Sequence, residues 1–315
     1  MIKLGVFGAG RFGQIHLKQL KEIKNFEIVG LFDPDKNLSE KIAKEHNITA
    51  YGNPDELIQK SDALDIVSST ESHFSIAQKG IRNFKHLFIE KPVSTGIDQA
   101  KNLLSIGKEA GVKIQIGHVE RFNPAFLNGL SFVNSPVFIE SHRLAEFQRT
   151  NKNVSVLDDI MVHDIDIMLQ LVDSPIKKIN ATSVGIINGS PDIVNARIEF
   201  DNGCTASLTA SRLAVKNMRI TRVYQRDASI SMNFLENKTG VIRKNDQQKE
   251  PELIFPVVEN ENAIKTELLH FADCIKNNLE PKVNLDHAIK ALTVAELIKE
   301  KLLPQSNFLI NEAIS

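Results

Sequence analysis

"LGVFGAGRFGQIHL", residues 4–17, is the stretch on which the fold turns. An apolar run at residues 4–7 leads into three glycines, Gly8, Gly10 and Gly13, which open a segment with apolar residues at helical spacing. Gly8 permits a tight turn, Gly10 lets a pyrophosphate approach the backbone, and Gly13 lets the helix pack close to the strand. The start of the helix adds unpaired N–H groups and the positive end of its dipole, both suited to phosphate. Arg11 and Phe12 lie within the loop. Arg11 could contact a phosphate, and its place suits the pyrophosphate or the adenine equally. The same glycines also occur in turns that bind nothing, so the flanking sequence decides.

The second strand, "FEIVGLFDPD", ends at Asp33, twenty residues beyond Gly13. A carboxylate there accepts hydrogen bonds from ribose hydroxyls and repels a 2′-phosphate, which favours NAD over NADP. Helix "KNLSEKIAKEH", strand "ALDIVSST", helix "HFSIAQKGIRN", strand "HLFIEKP", helix "GIDQAKNLLSIGKEAG" and strand "VKIQIGH" follow. Nearly continuous apolar strands between amphipathic helices predict a parallel sheet covered on both faces. From about Pro124 the segments lengthen and alternate apolar with polar, as in "DIVNARIEFDNGCTASLTASRLA", where Asn202-Gly203 signals a hairpin. The expected fold class is α/β: a doubly wound parallel sheet over residues 1–121, then an α+β domain with an open-faced sheet over residues 122–315. Helices are expected at "LDDIMVHDIDIMLQLV", at "IKTELLHFADCIKNN" and over about 285–302, the last packing back on the first domain.

At 315 residues, 42% hydrophobic and 24% charged, with a net charge of −1, the composition is that of an ordinary globular chain and suggests no nucleic-acid partner. No apolar run is long enough to span a membrane, and "MIKLGVF" lacks the basic start and apolar stretch of a signal peptide. Cys204 and Cys274 are far apart, which fits a reducing, cytoplasmic setting.

Two segments carry groups that could do chemistry. Glu90-Lys91-Pro92 ends a parallel strand, at the edge where open α/β sheets bind ligands. Pro92 keeps Lys91 out of helical geometry and can hold its ammonium near a cofactor; the alternative is a solvated lysine in a turn. In "LDDIMVHDIDIML", Asp159 and His163 are four apart, one helical turn, with Asp166 beyond. A carboxylate-held imidazole is a good general base; the alternative is a surface pair. No third ligand supports a metal there, and none is expected.

Taken in order, "GAGRFGQIH", "STESH", "EKP", "GHVERFNP" and "DIMVHDID" resemble the glucose–fructose oxidoreductase, inositol dehydrogenase and MocA (Gfo/Idh/MocA) family, from residue 2 to about 303. The resemblance implies an N-terminal Rossmann domain, a C-terminal open-faced sheet domain and a nicotinamide between them. It implies that Lys91 hydrogen-bonds the reacting sugar oxygen, that Asp159 and His163 are the family's D-x-x-x-H, with His163 moving the hydroxyl proton, and that Ser68, Ser69, Thr70 and His73 lie along the cofactor, with Glu90 beside Lys91. "GHVERFNPAF" and "DDIMVHDIDIM" look most like family members that oxidise the 3-hydroxyl of UDP-N-acetylglucosamine and related UDP-sugars; a free sugar, inositol or other cyclic polyol is the alternative substrate, and a non-catalytic NAD-binding protein the second alternative. The chain departs from the family at Ser69, where proline is common, and at "NVSVLD", where a glycine pair is common, which leaves the pocket's shape open. His118, Arg121 and Asn123 are expected near the substrate, and Arg143, Arg149, Arg212 and Arg219 are candidates for a diphosphate. The open sheet face is expected to form a homodimer or homotetramer.

Overall fold

The computed structural model describes residues 1–147, 155–187, 190–245, 250–256 and 261–302. They divide into two units: Met1–Phe122 with Glu261–Ile289, and the described parts of Asn123–Asn260 and Lys290–Ser315.

In the first unit, β1 (Ile2–Phe7), α1 (Arg11–Leu20), β2 (Phe26–Phe32), α2 (Lys36–His46), α3 (Pro54–Lys60), β3 (Ala63–Ile66), α4 (Thr70–Arg82), β4 (His86–Glu90), α5 (Ile97–Ala110) and β5 (Ile114–Gly117) follow in order. The strands pair in parallel in the order β2-β1-β3-β4-β5. Every residue of β3 and of β5 is buried, as a sheet covered on both faces requires. Because β1 lies between β2 and β3, the chain changes direction across the sheet beside β1, and ligands of such sheets bind beyond the carboxyl ends at that point. A short 3-10 turn, Val119–Phe122, ends this run.

In the second unit, α6 (Pro124–Leu130) and β6 (Phe138–Glu146) precede a π-helical turn, Leu157–Met161, and α7 (Val162–Leu171). Then come β7 (Ile176–Val184), β8 (Ile193–Phe200), β9 (Thr205–Ala214), β10 (Met218–Tyr224), β11 (Ala228–Asn233), β12 (Lys238–Arg243) and β13 (Glu252–Ile254). The sheet order is β13-β12-β11-β10-β6-β9-β8-β7, mixed because β6 and β9 are parallel. Asn202-Gly203 does turn β8 into β9, with Gly203 at φ +86. Alternation sends Val194, Ala196 and Ile198 of β8 into the core and leaves Asn195 and Arg197 exposed, the pattern of a sheet covered on one face.

The chain closes with α8 (Ala263–Asn277) and α9 (Leu285–Leu302). Leu268, Phe271 and Ala272 of α8 join Leu17, Leu20 and Phe88 in the first unit's core, with the Phe271 and Phe88 rings edge-on at 5.9 Å. The helix expected over about 285–302 to pack back on the first domain instead places Ala291, Val294, Ala295 and Ile298 of α9 in the second core. A single cut after residue 121 therefore omits a C-terminal return, 261–289, whose apolar stripe completes the first unit's core.

Candidate functional site

A cleft of about 620 Å³ lies in the first unit beyond the carboxyl ends of β1, β2 and β3, at Phe7, Phe32 and Val67. Gly8, Gly10, Arg11, Phe12, Asp33, Ser68 and Ser69 line it, as expected from sequence. Gly8 adopts φ +119, and a Cβ there would lie 2.7 Å from the Val67 carbonyl oxygen. A Cβ on Gly13 would collide with the Gly8 carbonyl, whereas one on Gly10 meets nothing within 4 Å. Two glycines are thus needed for the loop's own shape, and the third keeps open the space in front of α1. Gly10 is the N-cap of α1 and supplies no side-chain cap to the helix's first N–H groups, which suits them to a pyrophosphate. The loop fits the phosphate end of a dinucleotide.

Asp33 is built into this loop. Its Oδ2 accepts the Ala9 N–H at 2.7 Å and its Oδ1 the Asp35 N–H at 2.9 Å, so the carboxylate pins the glycine turn to the end of β2. Its half-exposed edge lines the cleft, where ribose hydroxyls can donate to it. Sequence reasoning missed one wall: Ser72, Ser75, Ile76 and Lys79 of α4 also face the cleft. Their spacing of three, four and seven residues from Ser72 is one helix face, and that was the available signal. Lys79 is ion-paired with Asp55 at 2.8 Å.

Other expected cofactor residues stand elsewhere. Gly13, Thr70, His73, Glu90 and Lys91 do not line the cleft. His73 is buried, one ring nitrogen 2.9 Å from the Ser68 carbonyl and the other 2.9 Å from that of Pro92. It clamps the segment after β3 to the turn after β4 instead of facing a ligand. The Lys91–Pro92 bond is cis. Glu90 turns inward: Oε2 accepts the Lys91 N–H at 3.1 Å, and Oε1 lies 3.3 Å from His16 Nε2. His16 Nδ1 is 3.1 Å from Asp65. Burial lowers the His16 pKa, but the charge of Asp65, the hydrogen bond with it and the nearby Glu90 carboxylate outweigh it, so the imidazole is held well above its ordinary range. Lys91 is half-buried.

In the second unit, Asp159 lies in the π-helical turn and His163 in α7, both half-buried. The Val162 N–H bonds the Leu157 carbonyl, five residues back, so the pair is separated by a widened turn and not by the regular α-helical one expected. Such bulges recur at functional sites. Asp166, beyond them, is buried.

The residues expected near the substrate are largely engaged within the protein. Arg143 is 4% exposed, its Nε 3.0 Å from buried Asp164 and its guanidinium over the Phe234 ring. Asn123 caps α6 by accepting the Ala125 N–H, while its amide donates to the Phe234 carbonyl, a structural use of both ends. His118 and Arg121 of the first unit are buried. Arg212 is ion-paired to Asp192 at 3.0 Å, Arg219 is exposed on β10 beside Arg143 in register, and Arg149 lies outside the described residues. Among the described residues, one cluster has metal-ligand proximity: His16, Glu90 and Glu267, with donor atoms within 4.8 Å of one another.

Comparison with known proteins agrees with this geometry. Residues 2–118 match the model of the Gfo/Idh/MocA "Oxidoreductase family, NAD-binding Rossmann fold", and residues 115–231 that of the "GFO/IDH/MocA C-terminal domain". UDP-N-acetylglucosamine 3-dehydrogenase of Acidithiobacillus ferrooxidans is 30% identical over 77% of this chain and 77% of its own length. Its solved structure superposes with a TM-score of 0.89, at 25% identity, over 96% of this chain and 97% of that one. scyllo-Inositol 2-dehydrogenase (NAD(+)) of Bacillus subtilis is 26% identical over 90% and 88% of the two chains. With an NAD-type cleft at the switch point of its first sheet, this chain belongs to the Gfo/Idh/MocA oxidoreductases, a family built on an NAD-binding Rossmann fold.

Proposed function

We propose that this NAD-binding oxidoreductase interconverts a secondary hydroxyl and a ketone on the sugar of a nucleotide sugar of the UDP-N-acetylhexosamine type. The likeness to a UDP-N-acetylglucosamine 3-dehydrogenase over three quarters of both chains carries the substrate class. Lys91, Asp159 and His163, together in one chain, supply the proton chemistry. The first unit is proposed as the cofactor-binding part and the second as the part for substrate and self-association.

When bound, NAD supplies the hydride acceptor. Gly8, Gly10 and the start of α1 hold the pyrophosphate, and Asp33 the ribose. An alcohol gives up hydride readily only as its hydroxyl proton leaves. His163, oriented by Asp159, takes that proton, and the Lys91 ammonium stabilises the oxygen as its charge grows. In the reverse direction the same groups polarise the ketone and return the proton.

The second reading is a free cyclic polyol, supported by the inositol dehydrogenase relative and by the withdrawal of Arg143 into its pair with Asp164. A thermal-shift screen of NAD-loaded protein against UDP-sugars, free sugars and inositols separates the two. Stabilisation by UDP-N-acetylhexosamines is expected; a shift confined to free polyols reverses the preference. On the responding substrate, Lys91→Met should lower kcat by about a hundredfold or more while NAD still stabilises the protein. Unchanged turnover sinks the assignment of Lys91.

No helix among the described residues is long and apolar enough to cross a membrane. Both cysteines are free and buried, which supports a reducing, cytoplasmic setting. Self-association as a homodimer or homotetramer through the outer face of the second sheet completes the proposal.

A further inference from the structure

Beneath the Lys91 turn lies a buried polar cluster that the proposed chemistry does not use. Asp65 of β3, Glu90 of β4 and Gln115 of β5 come from three adjacent strands of the first sheet; His16 comes from α1, Glu120 from the 3-10 turn after β5, and Glu267 from α8. All six are 9% exposed or less. Gly117, opposite Glu90 in register, makes room for it: a Cβ there would lie 2.5 Å from Glu90 Oε1.

Asp65, Glu90 and Glu267 place three carboxyl groups around the one imidazole of His16. His16 faces a carboxylate with each ring nitrogen, Asp65 at 3.1 Å and Glu90 at 3.3 Å, the arrangement of an imidazolium between two anions. Glu267 is the remaining case. It is fully buried, and neither carboxyl oxygen has a hydrogen-bond partner. Its backbone carbonyl accepts the Gln115 amide at 2.8 Å, so α8 is tied to β5 there. A second anion so close to Glu90, away from water, carries a large desolvation penalty. Protonation removes that cost and turns one Glu267 oxygen into a donor.

We propose that Glu267 is a positioning residue for Lys91: it is present as the neutral acid, and its proton, passed to Glu90 through one water, fixes the carboxylate that holds the Lys91 N–H. Burial and the neighbouring Glu90 charge, only partly offset by His16, raise the Glu267 pKa well above the carboxylate range, in the same direction. A metal at His16, Glu90 and Glu267 is the competing use of these atoms. It would need a lone pair on His16 Nε2 and both glutamates ionised.

This inference rests on the reading of Lys91 as the group that meets the reacting oxygen, and the test keeps the two apart. Infrared difference spectra of the full-length protein at neutral pH should show the C=O stretch of a protonated carboxyl, absent from Glu267→Gln. That measurement does not depend on substrate. In turnover, Glu267→Ala should lose about tenfold in kcat with NAD binding retained, and Glu267→Gln, a neutral isostere with its own donor, should recover most of that loss. Three results overturn the proposal: no protonated-carboxyl band, Glu267→Gln as impaired as Glu267→Ala, or a stoichiometric metal that Glu267→Gln removes. Full activity of Lys91→Met would instead overturn the reading of Lys91 and leave the infrared result standing.

Discussion

Gly10 and Gly13 are three residues apart, yet a methyl group at each meets a different obstacle. At Gly13 the new carbon collides with the Gly8 carbonyl, a backbone atom that cannot move aside, so Gly13→Ala should lower Tm and abolish NAD binding together. At Gly10 nothing lies within 4 Å and the backbone is extended. Gly10→Ala should therefore leave the melting of the free protein nearly unchanged and weaken NAD by about tenfold, equivalent to about 1.4 kcal/mol. Equal loss of Tm in both variants would mean that the loop, and not its ligand, demands Gly10. Asp33→Ala should also weaken NAD and narrow its advantage over NADP, as dissociation constants for both cofactors will show; a wild-type preference for NADP would refute the role of Asp33. That Gly10 and Asp33 line one cleft, and that Gly13 packs against the loop, was legible because each follows from distance along the chain. Arg143 and Asn123 were not. Their partners, Asp164 and the Phe234 carbonyl, lie 21 and 111 residues away, and nothing in a linear sequence marks an arginine as already paired.

Among the elements, the parallel strands were plain because burial on both faces makes them almost purely apolar. Two short helices, α3 and α6, were not assigned, although each begins with an Asn-Pro pair whose asparagine accepts a hydrogen bond from the first turn, a start signal in its own right. The π-helical turn at Leu157–Met161 has no such mark; neither glycine nor proline interrupts "LDDIM". The attachment of α8 carries a testable consequence through pH. His16 has a raised folded-state pKa, so its contribution is complete below its ordinary 6.5 and is lost as pH rises through the higher folded value. Glu267 also has a raised value: above its ordinary 4.5 the unfolded chain releases a proton that the folded protein retains, so stability again falls with rising pH. Both slopes have the same sign. Urea unfolding between about pH 6 and about pH 9 should show stability declining toward alkaline pH, and Glu267→Gln should flatten the decline. A stability that rises across this range would contradict the charge states assigned to the cluster.

At the scale of the whole molecule, sequence pattern separated a parallel-sheet unit from a mixed-sheet unit because their strands differ in period, continuous in one and alternating in the other. It assigned the return to the first unit to the last helix, about 285–302, and not to residues 261–289, since an amphipathic helix shows that it packs but not against what. The same limit applies to the outer face of the eight-stranded sheet, whose partner must be found by experiment. That face is patterned for more than solvent. Phe138 and Tyr224 stack at 5.8 Å, and Glu140 bridges Arg222 at 3.2 Å and His142 at 3.1 Å. A hydrogen bond from His142 holds the Glu140 carboxyl below its usual range despite partial burial, with Arg222 adding to the effect. Beside them, Thr205, Ser207 and Thr209 form a half-buried row on β9. A face of paired charges, stacked rings and short hydroxyls can meet a two-fold copy of itself. Sedimentation equilibrium should therefore give the mass of a dimer or tetramer. Replacing Phe138 and Tyr224 together by lysine places like charges at the contact and should shift that mass toward the monomer while NAD binding, which belongs to the other unit, persists. A wild-type protein that remains monomeric at concentrations of about 100 μM, far above the Kd of a stable dimer, would exclude this face as a self-association surface.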